Sequence, residues 1–157
     1  MNRPEHPRAE GLDASGAARQ IMLPRLAELA FALLATDCNA AHGAEAAWLD
    51  ALGRAADDCA RRLASATPER EAVVQTLISA WLAEPPLADH SLYALAAHEA
   101  LSLPETLAAA LSSAAELVPM AARALIWLQH PVGSARPTVG LVASLCERLG
   151  EPHALAL

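Results

Sequence analysis

An all-α bundle of six or seven helices is the fold this sequence predicts, and three observations carry the prediction. Hydrophobic residues make up 54% of the chain and aromatic ones only 3%, so the apolar content is mainly alanine and leucine. Those residues lose little rotamer freedom in a helix and stand high on its propensity scale, whereas the β-branched and aromatic residues that favour strands are sparse. Apolar positions recur at three- and four-residue steps through most of the chain. Prolines, glycines and capping residues interrupt those stripes at intervals that suit helices of ten to twenty residues, an order-of-magnitude length typical of globular folds.

Taken in order, residues 1–14 combine Pro4, Pro7 and Gly11 without apolar periodicity, which predicts a flexible tail. Ser15 can cap a first helix whose stripe is Ile21, Leu26, Leu29, Leu33 and Leu34, running to about Thr36 with a kink or a late start at Pro24. After a connection ending at Gly43, a helix over 44–63 carries Trp48, Leu52, Ala55, Ala56, Cys59 and Leu63 on one side. Asp50, Arg54, Asp57, Asp58, Arg61 and Arg62 lie on the other, so this helix is half in water. Thr67-Pro68-Glu69 reads as an N-cap, a first-turn proline and a first-turn acid, opening a helix through Val73, Val74, Leu77, Ile78 and Trp81. Pro85-Pro86 ends it.

The double proline divides a helical half over 15–84 from a second over 87–157, with a shared core still open to both. Asp89 is placed to cap a helix containing Leu92, Leu95, Ala96 and Glu99. Ser102-Leu103-Pro104-Glu105 has the spacing of a capping box, followed by a seam of Leu103, Leu107, Leu111 and Ala115 that breaks near Pro119. A short helix then bears Ala124, Leu125, Trp127 and Leu128, and a last one bears Val139, Val142, Leu145, Cys146 and Leu149 before Gly150. The tryptophans at 48, 81 and 127 are 33 and 46 residues apart, which is no fixed period and argues against a helical repeat.

Composition excludes several functions. All 11 basic residues are arginine, so the lysine of a GxxxxGK[ST] phosphate loop is missing, and Schiff-base chemistry with it. A net charge of −7 has the wrong sign for a duplex-binding surface, and Arg54, Arg61 and Arg62 stand beside Asp57 and Asp58, so no nucleic-acid partner is expected. No uncharged run reaches the ~18–20 apolar residues of a membrane span, and MNRPEHPRAE has no apolar segment of a secretory signal. A cytoplasmic location without membrane insertion is the expectation. Cys38, Cys59 and Cys146 are odd in number and suit reduced thiols.

Candidate reactive groups remain incomplete. Cys38 and His42 share a helical spacing with Asp37 beside them, but a structural zinc needs four ligands and the chain has no CxxC or HExxH pair. Gly133-Ser134-Ala135 lacks the closing glycine of a nucleophile elbow. His130 before Pro131 reads as a helix stop, and Cys146 has no flanking His or CxxC partner to lower its pKa. Arg136, in the Pro/Gly/Ser loop between the last two helices, can fork onto a carboxylate of a neighbouring helix or of another subunit. No catalytic residue, metal or cofactor is predicted.

The stretch LIWLQHPVGSARPTVGLVASLCERLG, Leu125 to Gly150, together with Leu101-Ser102-Leu103-Pro104-Glu105, resembles the helical, winged-helix-associated N-terminal region of a group of bacterial AAA+ ATPases. Some of those are encoded with contractile, phage-tail-like injection systems. The resemblance covers approximately Leu87 to Leu157, and Val118 departs from the polar or acidic residue expected there. It implies architectural roles for Ser102, Glu105, Arg136, Pro137, Thr138 and Leu141, with Pro137 and Thr138 starting a helix that Val139 and Leu141 pack. It also implies that the ATPase motor lies elsewhere and that this chain is a non-catalytic positioning module, with a protein or the motor as partner and homo-oligomerisation open. The competing expectation is a free-standing helical protein that holds a peptide helix or a small apolar ligand in an interhelical groove.

Overall fold

The computed structural model describes residues 23–35, 43–63 and 69–150, with residues 59–63 as backbone only. Among them are seven α-helices and no strand: α1 (Arg25–Leu34), α2 (Ala44–Leu63), α3 (Arg70–Ala83), α4 (His90–His98), α5 (Leu103–Leu117), α6 (Pro119–Leu128) and α7 (Val139–Arg148). A single 3-10 turn, Leu87–Asp89, joins α3 to α4. The predicted tail, Ser15, Ile21 and the Cys38/His42 pair lie outside the described residues. None of the helices described is long and apolar enough to cross a membrane.

α1 is the axis of the bundle. It touches α2, α3, α5 and α7, and every residue from Leu26 to Leu34 except Glu28 is buried. The sequence predicts a one-sided stripe here; the helix is instead enclosed all round, because Ala27, Ala30 and Ala32 let neighbours approach on the sides that the leucines leave. Leu23 and Pro24 are not helical and α1 begins at Arg25, while the expected helical stretch over 15–21 lies outside the described residues. Pro24 is extended at the N-cap, and its carbonyl accepts from the Glu28 amide at 3.0 Å.

α2 has the predicted bounds but a different buried line. Ala46, Leu49 and Ala56 are buried while Ala55 is exposed, so the inward face is centred on Leu49 rather than on the Ala55 side. Trp48 sets its edge against Phe31 of α1 at 5.2 Å between ring centroids, an arrangement favoured by the ring quadrupoles. Arg70 at the start of α3 grips Asp57 of α2 with two nitrogens, at 2.8 and 2.5 Å, and this carboxylate raises the Arg70 pKa. The predicted cap of α3 is corrected. Glu69 is the extended N-cap and Arg70 the first helical residue, where the sequence predicts a cap two residues earlier; Thr67 and Pro68 themselves lie outside the described residues.

The remaining bounds follow the sequence punctuation. α3 ends ahead of Pro85-Pro86 with Val73, Val74, Ile78 and Trp81 buried. α5 opens on a capping box in which the Glu105 carboxylate accepts from the Ser102 amide at 2.8 Å and from its hydroxyl at 2.6 Å. These bonds hold the Glu105 pKa below its ordinary value. Leu107 and Leu111 of the predicted seam are fully buried beside Ala110 and Ala114, and Pro119 starts α6 after the break. One core cluster runs from α1 to α7, so the segments before and after the double proline share it.

Candidate functional site

Among the described residues, grooves open beside two joints, each made by one buried polar side chain. The first joint is Gln129, which follows α6 and is 6% exposed. Its amide nitrogen donates to the carbonyls of Leu125 (3.2 Å), Ser134 (3.0 Å) and Arg136 (2.9 Å), and its oxygen accepts from the Thr138 amide at 2.5 Å. One side chain therefore ties the loop over residues 130–138 to the end of α6 and the beginning of α7. Thr138 then caps α7 by accepting from the Leu141 amide at 3.3 Å.

Beside this joint is a groove of about 460 Å³ whose walls include Leu34, Trp127, Leu128, Val132, Leu141 and Ser144. Trp127 and His130 also line a neighbouring hollow of about 630 Å³ with Ile126, Glu45 and Arg123. Arg123 and Glu45 pair across the α2–α6 contact. The Glu45 pKa is lowered first by its own backbone amide and then by Arg123. This hollow has an apolar floor and a rim whose charges cancel.

The second joint is Asp89, 1% exposed, at the end of the 3-10 turn. Its sequence role is corrected: the side chain does not cap α4 but the N-terminus of α1, accepting from the amides of Arg25 at 3.0 Å and Leu26 at 3.1 Å. Trp81 of α3 donates its indole N–H to the same carboxylate at 2.7 Å. The physical reason is that Pro24 at the α1 N-cap has no side-chain acceptor, and the enclosed amides of α1 must find one elsewhere.

Where α3 turns into α4, a groove of about 830 Å³ is lined by Ala83, Glu84, Pro85, Pro86, Leu87, His90, Tyr93 and Ala94. Leu87 is 85% exposed, and Tyr93 lies edge-on to Trp81 at 5.9 Å. None of α4's nine residues is buried, although Leu92, Tyr93, Ala94, Leu95, Ala96 and Ala97 are apolar. The expected inward seam of Leu92, Leu95 and Ala96 thus only rests on the bundle. α4 contacts α5 and the 3-10 turn and leaves Leu95 and Tyr93 open to solvent.

The residues singled out by sequence fall in two places. Arg136, Pro137, Thr138 and Leu141 gather at the α6–α7 loop, while Ser102 and Glu105 form their own cap at the start of α5. Arg136 makes no fork: one guanidinium nitrogen stands 3.6 Å from Glu116, with both side chains exposed, and its backbone rather than its charge holds the loop. Val139 does not pack, being 77% exposed, because the first turn of α7 projects past the core; Leu141 is partly buried against it. Cys146 is buried on the apolar side of α7, as its position predicts. Among the described residues, no three His, Cys, Asp or Glu side chains converge as a metal site would need.

The joints at Gln129 and Asp89 were not legible as such. Gln129 carries no motif, whereas the proline at the α1 cap was a usable sign that a distant acceptor is needed. No family model matches the chain, and no curated protein and no solved structure matches it either. What fold and surface define together is an all-α bundle bearing apolar grooves.

Proposed function

We propose that this chain is a non-catalytic protein-docking domain, and that the surface it offers is the α3–α4 edge. The observation that carries the reading is α4 itself, a helix with six apolar residues in nine that the bundle leaves without a single buried side chain. A helix retained in that state exposes apolar area that a partner can remove from water, at about 25 cal/mol per Å². The resemblance at Leu125–Gly150 adds the class of partner: an AAA+ motor relative to which the domain positions other proteins. The lysine-free sequence requires that any phosphate loop of the GK[ST] type be supplied by other residues than these.

The test joins genetics to binding. An AAA+ gene product carrying a lysine-bearing phosphate loop, encoded in frame with this chain or beside it, is expected to co-elute with the purified protein, and Leu87→Ser with Leu95→Ser is expected to abolish co-elution while leaving the far-ultraviolet spectrum unchanged. A genomic neighbourhood without such a motor removes the ATPase from the reading. Unaided turnover of a substrate by the pure chain removes the reading itself.

A further inference from the structure

We infer that the α3–α4 groove takes a basic peptide segment, one that presents an apolar side chain to Leu87, Pro86 and Tyr93 and an arginine or lysine to Glu84. This rests on the docking reading above and adds the chemistry of the occupant. Charge is the deciding observation. Among the described residues Arg25, Arg54, Arg70, Arg123 and Arg136 each face a carboxylate, on Glu28, Asp50, Asp57, Glu45 and Glu116. Glu84 lies in the groove wall with no ion-pair partner among those residues.

Asp89, in the 3-10 turn between Leu87 and His90, is already engaged by three donors and is 1% exposed, so Glu84 is the carboxylate that the groove lining offers to an incoming chain. The open phenol ring of Tyr93 is a second feature that favours a cation. A second copy of the same chain is the poorer occupant. Each copy carries a net charge of −7, and a twofold contact through this groove adds a second Glu84 carboxylate to the interface, while the groove's own lining offers no arginine and only the His90 imidazole beside it.

The experiment is selection of a random 12-residue peptide display library on the purified full chain, with the Leu87→Ser variant as the counter-selection surface. Peptides enriched on the wild type are expected to carry a net positive charge. Titrated singly by fluorescence anisotropy, they are expected to lose about threefold in affinity to Glu84→Gln, the scale of one exposed ion pair, and about tenfold to Glu84→Arg, where attraction becomes repulsion. Enriched peptides that are neutral or acidic, or that bind Glu84→Arg as well as the wild type, overturn the inference while the docking reading survives. No enrichment over Leu87→Ser overturns both. A wild-type dimer in sedimentation equilibrium that Leu87→Ser dissociates assigns the groove to a second copy and also overturns the inference.

Discussion

Replacing Asp89 by alanine is the perturbation that tests the architecture most sharply, because one carboxylate joins α1, α3 and the 3-10 turn. The change deletes three accepted hydrogen bonds. Two of the stranded donors, the Leu26 amide and the Trp81 indole, belong to residues that are 0% and 3% exposed, so water does not replace the lost partner. A buried donor left unsatisfied costs about 1–3 kcal/mol, and α1 also loses its cap, worth about 1 kcal/mol. With some relaxation the total is about 3–5 kcal/mol, a large share of the ~5–15 kcal/mol by which a typical domain is stable. Urea unfolding followed by circular dichroism measures it directly, and the melting temperature should fall by roughly 10 °C at ~2–4 °C per kcal/mol for a chain of this size. Asp89→Asn is expected to cost about half as much. Its remaining oxygen can serve Leu26 and Trp81, which share one carboxylate oxygen, while its amide group faces the Arg25 N–H as a second donor. An Asp89→Ala variant within about 1 kcal/mol of the wild type would show that the donors find other acceptors and refute the reasoning.

Three further outcomes are expected. Gln129→Ala should destabilise by about 2 kcal/mol and open the loop over 130–138 to limited proteolysis, since one side chain bonds four backbone groups there; an unchanged cleavage pattern would mean that the loop is held by packing alone. Glu105, whose pKa is lowered by Ser102, contributes stability that is present above its unfolded pKa and lost as pH falls through the folded value. Thermal melts from pH 7 to pH 2.5 should therefore show a shallower acid decline for Glu105→Gln than for the wild type, and parallel curves would count against the box. Cys146, 2% exposed, should react with a thiol reagent only at the rate of global unfolding in a Cys38→Ser, Cys59→Ser background; fast labelling at neutral pH would reopen catalysis at that thiol.

Local signals proved legible where they were satisfied locally. The capping box at Ser102, the stop at Pro85-Pro86 and the leucine seam of α5 depend on residues within one or two turns, and each is found where the sequence puts it. Misreadings arose where tertiary contacts decide. Periodicity placed Ala55 inside with Trp48, yet Leu49 on the adjacent side is larger and takes the core. The stripe of α1 hid the fact that alanines complete its burial, since alanine is at home both on a surface and in a tight helix contact. Asp89 has the form of a cap for the helix it precedes, and only the long-range arrival of α1, 63 and 64 residues away along the chain, redirects it. Of the candidate site, the α6–α7 connection is legible as a Pro/Gly/Ser loop between two helices, but the glutamine that organises it has no pattern to betray it.

The two joints also bear on how the grooves would respond to an occupant. Tyr93 in the α3–α4 groove packs on Trp81, Trp81 donates to Asp89, and Asp89 caps α1, which is the axis of the whole bundle. The groove wall is thus connected through three consecutive contacts to the most enclosed helix, whereas Leu87 and the outer surface of α4 are not so constrained. Such an arrangement combines a fixed inner wall with an adaptable outer one, which lowers the ordering cost of binding on one side only. It follows that Asp89→Ala, which removes the acceptor of the Trp81 indole, should weaken any ligand that leans on Tyr93 and spare one that touches Leu87 alone. Anisotropy titrations of the selected peptides against Asp89→Ala and Leu87→Ser, at a temperature where both variants are folded, separate these cases: equal losses for every peptide would mean that the inner wall gains nothing from its link to α1.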